Sequence, residues 1–596
     1  MTSRVHDLPF GASLQGDAVL FRLWAPGEAQ VAIALDGRDP VPMVAGEGGW
    51  HEKRMPEAHA GSLYQYVVKD GLRVPDPASR FQPQDVHGPS EVVDPKAYDW
   101  QDHGWRGRAW AEAVIYELHI GTFTPEGSFR AAIAKLDHLA DLGVTVIEIM
   151  PVADFPGQRN WGYDGVLPFA PDSSYGRPED FKALVDAAHA RGIGVMLDVV
   201  YNHFGPDGNY LPVYAPQFFT DRHKSPWGAG VNVDGADSRP VRDFFIHNAL
   251  YWIEEFHLDG LRFDAVHAIQ DDGPKHLLLE LAETLRARVT DRPLHLVLEN
   301  EDNRASYLMR DAGGTPKDYS AQWNDDVHHV LHVAATGEDV AYYAPYAHQP
   351  DLLGRALAEG FAFQGEAMDY SGKARGEPCA HLPPSAFVAF AQNHDQIGNR
   401  AMGERLTQIA APEAVRAVSA VYLLLPQVPM LFMGEELGAT SPFLFFADFE
   451  GELAEKVRDG RREEFARFPA FSDPETREKI PDPLAETTFI ASKLRWDAID
   501  PAVQDWYRRI LTIRREKLVP LLAGIRHGGK ARMLGKGAVE VTWPVTPAGR
   551  LTLLANLSSA DVAGDFTVDS QPLWQEGALP QKENLPAWSV CWIFSP

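Results

Sequence analysis

The sequence predicts a multidomain protein in which a (β/α)8 barrel is flanked by an N-terminal β-sandwich and a C-terminal antiparallel β domain. Three observations predict it. At 596 residues the chain exceeds what one hydrophobic core usually fills. Apolar strand-like runs alternate with longer helical runs through its middle, as repeated βα units require. Before and after that region, short alternating segments are separated by turn residues.

The first 95 residues hold runs such as Ala18-Val19-Leu20-Phe21-Arg22-Leu23-Trp24 and Ser62-Leu63-Tyr64-Gln65-Tyr66-Val67-Val68, with Lys69-Asp70-Gly71 as a hairpin turn. They suggest a small antiparallel sandwich of the immunoglobulin-like, carbohydrate-binding type. Residues 96–110, rich in Trp, read as a linker. The barrel is expected over 111–520. Its strands are predicted at Val114–His119, Val144–Met150, Gly194–Val200, Leu258–Asp264, Leu294–Glu299, Phe387–Gln392 and Pro429–Met433, with one poorly delimited strand near Tyr319–Trp323. Phe181–Ala188 exemplifies the helical runs between them. The C-terminal domain, 528–596, carries strand patterns at Ala538–Trp543, Leu551–Asn556 and Trp588–Ile593.

Composition excludes several functions. A formal charge of -28 repels phosphate backbones and anionic lipid, so nucleic acid and membrane surfaces are not expected as partners. Cys379 and Cys591 are the sole cysteines, too few for a disulfide framework or a zinc cluster. The first residues lack a secretory apolar run, and no stretch reaches membrane-spanning length. A cytoplasmic location is expected.

Three acids stand at predicted C-terminal strand ends, where barrels of this kind build their sites. Asp264 closes Leu261-Arg262-Phe263-Asp264, Glu299 closes Val297-Leu298-Glu299, and Asp395 follows Gln392-Asn393-His394. Side chains alternate along a strand, so Arg262 falls on the face of Asp264 and favours its ionised form. Retaining cleavage of a glycosidic bond needs an ionised carboxylate as nucleophile and a protonated one as acid, then base. Asp264 suits the first role and Glu299, at the end of an apolar run, the second. Asp395 would bind sugar hydroxyls and help distort the ring, with His394 and His203 as neutral donors. Glu301 lies two residues beyond Glu299 and leaves the acid/base assignment open.

These segments resemble the conserved regions of the α-amylase family of retaining glycoside hydrolases. Asp198-Val199-Val200-Tyr201-Asn202-His203 is similar to the first region, Gly260–Asp264 to the nucleophile region, Glu299 to the acid/base region and Asn393-His394-Asp395 to the fourth. The resemblance implies that Tyr163, in Trp161-Gly162-Tyr163-Asp164-Gly165, stacks on the sugar at the cleaved bond. Within the family, Asp76–Pro83, Trp323–His329, Ser441–Phe446 and Gly460–Phe465 resemble members that release trehalose from maltooligosyltrehalose by hydrolysis, with water as co-substrate. Asn324, Asp325 and Asp326 then become candidates to contact the trehalose end, His267 the leaving side, and Gln396 and Asn399 further hydroxyls. Asn202 matches a position that binds calcium in many amylases, but no set of partner ligands follows it. No metal or other cofactor is expected. The rival readings are a glycogen branching enzyme, with a sugar hydroxyl as acceptor, and a noncatalytic glucan-binding protein.

Overall fold

The computed structural model describes residues 5–225, 227–368, 372–564, 566 and 570–596. Eight parallel strands close a barrel in chain order: β1 (Ile115–Leu118), β2 (Val146–Ile149), β3 (Gly194–Val199), β4 (Gly260–Phe263), β5 (His295–Leu298), β6 (Ala321–Trp323), β7 (Phe387–Ala389) and β8 (Val428–Phe432). The closing pair is β8 with β1, Met430 opposite Ile115. Every residue of these strands is buried, because helices cover the outer face while side chains fill the lumen. That is why the strands read as nearly unbroken apolar runs.

Strand β6 was the one poorly delimited in sequence, and its structure explains this. Only three residues long, it carries Gln322, whose buried amide donates to Asn300 O and Asn303 Oδ1 at 3.0 and 2.8 Å. A polar residue in so short a strand hides the apolar signal.

The period-two alternation divides the lumen into layers. Ile115, Val146, Met196, Val297, Ala321, Val388 and Val428 belong to an apolar plug. Two residues farther along their strands come Glu117, Glu148, Asp198 and Glu299, and Arg262 lies two beyond Gly260. The lumen therefore changes from apolar to ionisable at the end where the C-termini emerge.

The outer helices follow ordinary rules. The helix Pro178–Ala190, which contains the predicted run, opens with Pro, carries Glu179 and Asp180 in its first turn, and buries Phe181, Leu184, Val185 and Ala188. Spacing of three and four residues puts those four on one stripe against the barrel.

Two antiparallel sheets form the N-terminal unit, as expected; the first four residues lie outside the described ones. Strand Leu63–Val67 turns through Lys69–Gly71 into Arg73–Val74, with Asp70 and Gly71 at positive φ (58° and 76°). The unit is fixed to the barrel by a buried ion pair between Arg80 Nε and Glu255 Oε1 at 3.3 Å.

The segment expected as a linker is packed down rather than free. Trp100 stacks on His257 at 3.7 Å between centroids, and Trp105 stacks on His189 and donates Nε1–H to Asp259 at 2.7 Å. Indoles bury large apolar area and need a partner for one N–H, which Asp259 provides for Trp105.

In the C-terminal unit a five-stranded antiparallel sheet contains Ala538–Pro544, Arg550–Asn556 and Ser589–Ser595 as neighbours. Its stacked Trp543 and Trp592 donate to the carbonyls of Ala358 and Ala420 on barrel helices, so it too is docked on the barrel. Among the described residues no helix is long and apolar enough to cross a membrane.

Candidate active site

Asp264, Glu299 and Asp395 follow the C-terminal ends of β4, β5 and β7, where the parallel topology gathers them at one end of the barrel. A cleft of about 790 Å3 opens there, lined by Glu299, Trp323, Asp325, Asp395, Gln396 and Asn399 among others, His267 included. Asp264 is not in that lining but is tied to it. Arg262 Nη1 donates to Asp264 Oδ1 at 2.7 Å and to Asp198 Oδ2 at 2.6 Å, while its Nη2 lies 3.6 Å from Glu299 Oε2. Arg262 is wholly buried, and its guanidinium lies 4.1 Å over the Trp323 ring, so one fixed cation serves the carboxylates around it.

Immediately after Asp264 the chain bends through Ala265 at φ 41°, a left-handed conformation that costs a side-chain-bearing residue about 1 kcal/mol or more. The bend aims the Ala265 N–H at Glu299 Oε2, 2.5 Å away. Backbone strain is thus spent on coupling two of the three acids.

Their surroundings differ. Burial raises Glu299 above the ordinary carboxyl range; Arg262 opposes this, and Asp264 adds to it. Glu301 also lines the cleft but is far more open, with its side chain 73% exposed and 3.6 Å from His267 Nε2. Burial pushes Asp198 up to about 7 although Arg262 pulls it down, and Tyr163 donates its hydroxyl to it at 2.7 Å. Asp325 is likewise pushed up to about 7, first by burial and then by Glu299. Asp395 is the most open of the three expected catalytic acids, with its side chain 46% exposed, and Asn399 donates to it at 3.2 Å.

The two expected neutral histidines part ways. Burial alone would lower His394, but the charges of Asp395 and Glu117 outweigh it and push it up to about 9. The surroundings of His394 thus favour its protonated form, in contrast to the neutral donor expected. Burial lowers His203, and its Nε2 is already 3.1 Å from the Tyr163 carbonyl. It supports the Tyr163 segment, and its ring stacks on Trp227.

Two further expectations do not fit. Asn324 is the N-cap of the helix Asp325–Thr336, accepting from Val327 N and donating to Gly360 O and Gln427 Oε1 at 3.0 Å each. Asp326 accepts from Arg375, Tyr346, Asn303 and the Ala362 amide. Both are fully buried with their polar atoms spent on protein partners, so neither offers a sugar contact. Successive residues of a helix diverge by about 100°, and Asp325 alone of the three lines the cleft.

Sequence reasoning passed over Glu117, Glu148 and the cleft role of Trp323. The signal was present for the acids: each is a charge inside an apolar strand, Tyr116-Glu117-Leu118 and Ile147-Glu148-Ile149. Asn202, at the position tied to calcium by resemblance, faces His203 Nδ1 with its Oδ1 at 2.6 Å. Among the described residues one trio could reach a shared ion, His223, Asp234 and Asp272, but Arg222 already lies 3.1 Å from Asp234 and 3.6 Å from Asp272.

Residues 98–249 match the family described as Alpha amylase, catalytic domain, and residues 526–592 a Domain of unknown function, DUF3459. The chain is 43% identical over 575 residues to a malto-oligosyltrehalose trehalohydrolase from Deinococcus radiodurans, covering 94% of this chain and 91% of that protein. It is 41% identical over 510 residues to the protein of that name from Saccharolobus solfataricus, covering 85% and 87%. A Salmonella typhimurium crystal structure, provisionally described as an alpha amylase, superposes with a TM-score of 0.94 at 46% identity, covering 99% of this chain and 100% of that one. By contrast, a Jannaschia 1,4-alpha-glucan branching enzyme matches over 43% of the chain. Nearly full-length similarity, with the acids gathered at the barrel's C-terminal end, places the chain in the malto-oligosyltrehalose trehalohydrolase family, built on an α-amylase catalytic domain.

Proposed function

We propose that the protein hydrolyses the α-1,4 bond next to the terminal trehalose of maltooligosyltrehalose, releasing trehalose with retention. Asp264 attacks the anomeric carbon as the bond to the leaving oxygen breaks, and Glu299 gives that oxygen its proton, so trehalose departs. Glu299, now ionised, takes a proton from water, which displaces Asp264 and frees the shortened glucan. Asp395 holds sugar hydroxyls beside the reacting centre, with Gln396 and Asn399 near it, and Tyr163 offers its ring to the sugar face. Asp325 and His267 contact the trehalose side.

The observation that carries this reading is the unequal setting of the two acids. Asp264 has a direct 2.7 Å bond from a buried guanidinium, whereas Glu299 is 3.6 Å from it and is raised by burial. The same contrast favours Glu299 over the exposed Glu301 as acid/base. A cytoplasmic location suits the two free, buried cysteines.

Incubation with maltooligosyltrehalose tests the reading by free trehalose and the anomeric form of the released glucan. Absence of trehalose overturns it, and new branch points in amylose would point to a branching enzyme instead.

A further inference from the structure

Glu117, on β1, has no part in the chemistry just described, yet it is joined to the site by two bonds. Its side chain is 2% exposed. Oε2 accepts the backbone N–H of His394 at 3.1 Å, and Oε1 lies 2.5 Å from His394 Nδ1. One carboxylate thus grips both the main chain and the ring of a single residue, from the opposite end of the barrel sequence. With Nδ1 committed to Glu117, the other ring nitrogen, Nε2, faces Asp395 Oδ1 at 3.5 Å. The Tyr163 ring packs nearly parallel to the imidazole, 5.1 Å between centroids at 21°, and Trp161 meets it edge-on. The ring therefore has one orientation available.

We propose that Glu117 is a positioning residue of the reaction: it fixes the His394 ring against Asp395 and supplies the negative partner that lets that ring act there as a cation. A protonated imidazole has N–H on both nitrogens, so it can donate to Glu117 from Nδ1 and to Asp395 or a bound sugar hydroxyl from Nε2 at once. A neutral ring bonded to Glu117 through Nδ1–H presents only an acceptor at Nε2, which faces a carboxylate oxygen unfavourably. The two-sided arrangement of acids requires the cation.

The groups bearing on His394 come from several elements. Asp395 and Glu117 favour its charge, while Arg262 on β4 and burial oppose it. Glu148 on β2 and His119 beyond β1 also feel its charge. The first two prevail, which agrees with His394 being held protonated at neutral pH.

The inference rests on Asp395 acting as proposed above, and its test separates the two. Histidine 15N spectra, with the His394 signal assigned by its loss in His394→Asn, read the ring without any substrate. Imidazolium shifts are expected at neutral pH in the native protein and neutral-ring shifts in Glu117→Gln. Kinetically, Glu117→Gln is expected to lower kcat by about tenfold or more, with KM changed less, and to move the alkaline limb of the kcat profile to lower pH. Glu117→Asp, which restores the charge, is expected to recover part of the loss. A neutral His394 in the native protein overturns the proposal, as does a Glu117→Gln enzyme with native kcat and alkaline limb. Should Glu117→Gln fail to fold, the native spectrum and Glu117→Asp still decide. Failure of the native enzyme to release trehalose would sink the functional reading while leaving the spectrum to judge this one.

Discussion

Arg262 on β4 and Asp264, the first residue past its end, meet at 2.7 Å, with the guanidinium wholly buried. A fixed cation beneath a carboxylate holds it aimed, as a nucleophile requires. Asp264→Ala is expected to reduce trehalose release by roughly 10⁴-fold or more, with glucan binding retained. Trehalose assay and calorimetric titration with substrate check this; residual turnover near the native rate would remove Asp264 from its role.

Arg262 also bonds Asp198 at 2.6 Å, so its loss strands two carboxylates in the lumen. Arg262→Met is expected to destabilise the protein by about 3–5 kcal/mol at neutral pH, the scale for breaking a buried pair. Denaturant unfolding measures it. A variant as stable as the native protein would show that the pair is not coupled to folding.

With Glu299 as the proposed acid, its deprotonation adds to the loss of activity expected at high pH, since burial raises its pKa. Glu299→Gln is expected to lower kcat by about 10²-fold or more and to abolish that alkaline dependence in what activity remains. A substrate with a leaving group that needs no proton, such as a glycosyl fluoride, should react with Glu299→Gln far better than the trehalose substrate does. Glu301→Gln, at an exposed position, should stay within about 0.5 kcal/mol of the native kcat/KM. The opposite pattern would exchange the two acids.

Glu148 predicts a stability effect with a definite sign. It is 1% exposed, and burial followed by the charge of Glu117 raises it well above the ordinary value. A carboxyl raised in the folded state is accommodated protonated at low pH and becomes a liability as pH rises through its folded pKa. Glu148→Gln does not titrate. Its Tm relative to the native protein should therefore climb with pH, with the gain absent near pH ~4 and on the order of a few degrees at alkaline pH. A pH-independent difference in scanning calorimetry would contradict this.

Much of the fold was legible because strands buried on both faces read as apolar runs, and eight of them at βα spacing leave few architectures. The exceptions have local causes. Strand β6 is short and carries Gln322, and the packing of residues 96–110, with Trp100 and Trp105 stacked on histidines from elsewhere in the chain, has no local signature. The acids Asp264, Glu299 and Asp395 were legible as well, since a charge at the end of an apolar strand stands out.

What the sequence by itself determined is therefore the barrel, its flanking β units and the acids at its strand ends, because all of these follow from periodicity and local residue type. Tertiary structure alone decided which neighbours each acid has. Asn324, Asp325 and Asp326 are consecutive, yet one caps a helix, one lines the cleft and one is buried in an ion-pair network. The His394 ring is held by Glu117, 277 residues earlier in the chain. Charge state and exposure depend on distances between chemically distant residues, and only folding sets those.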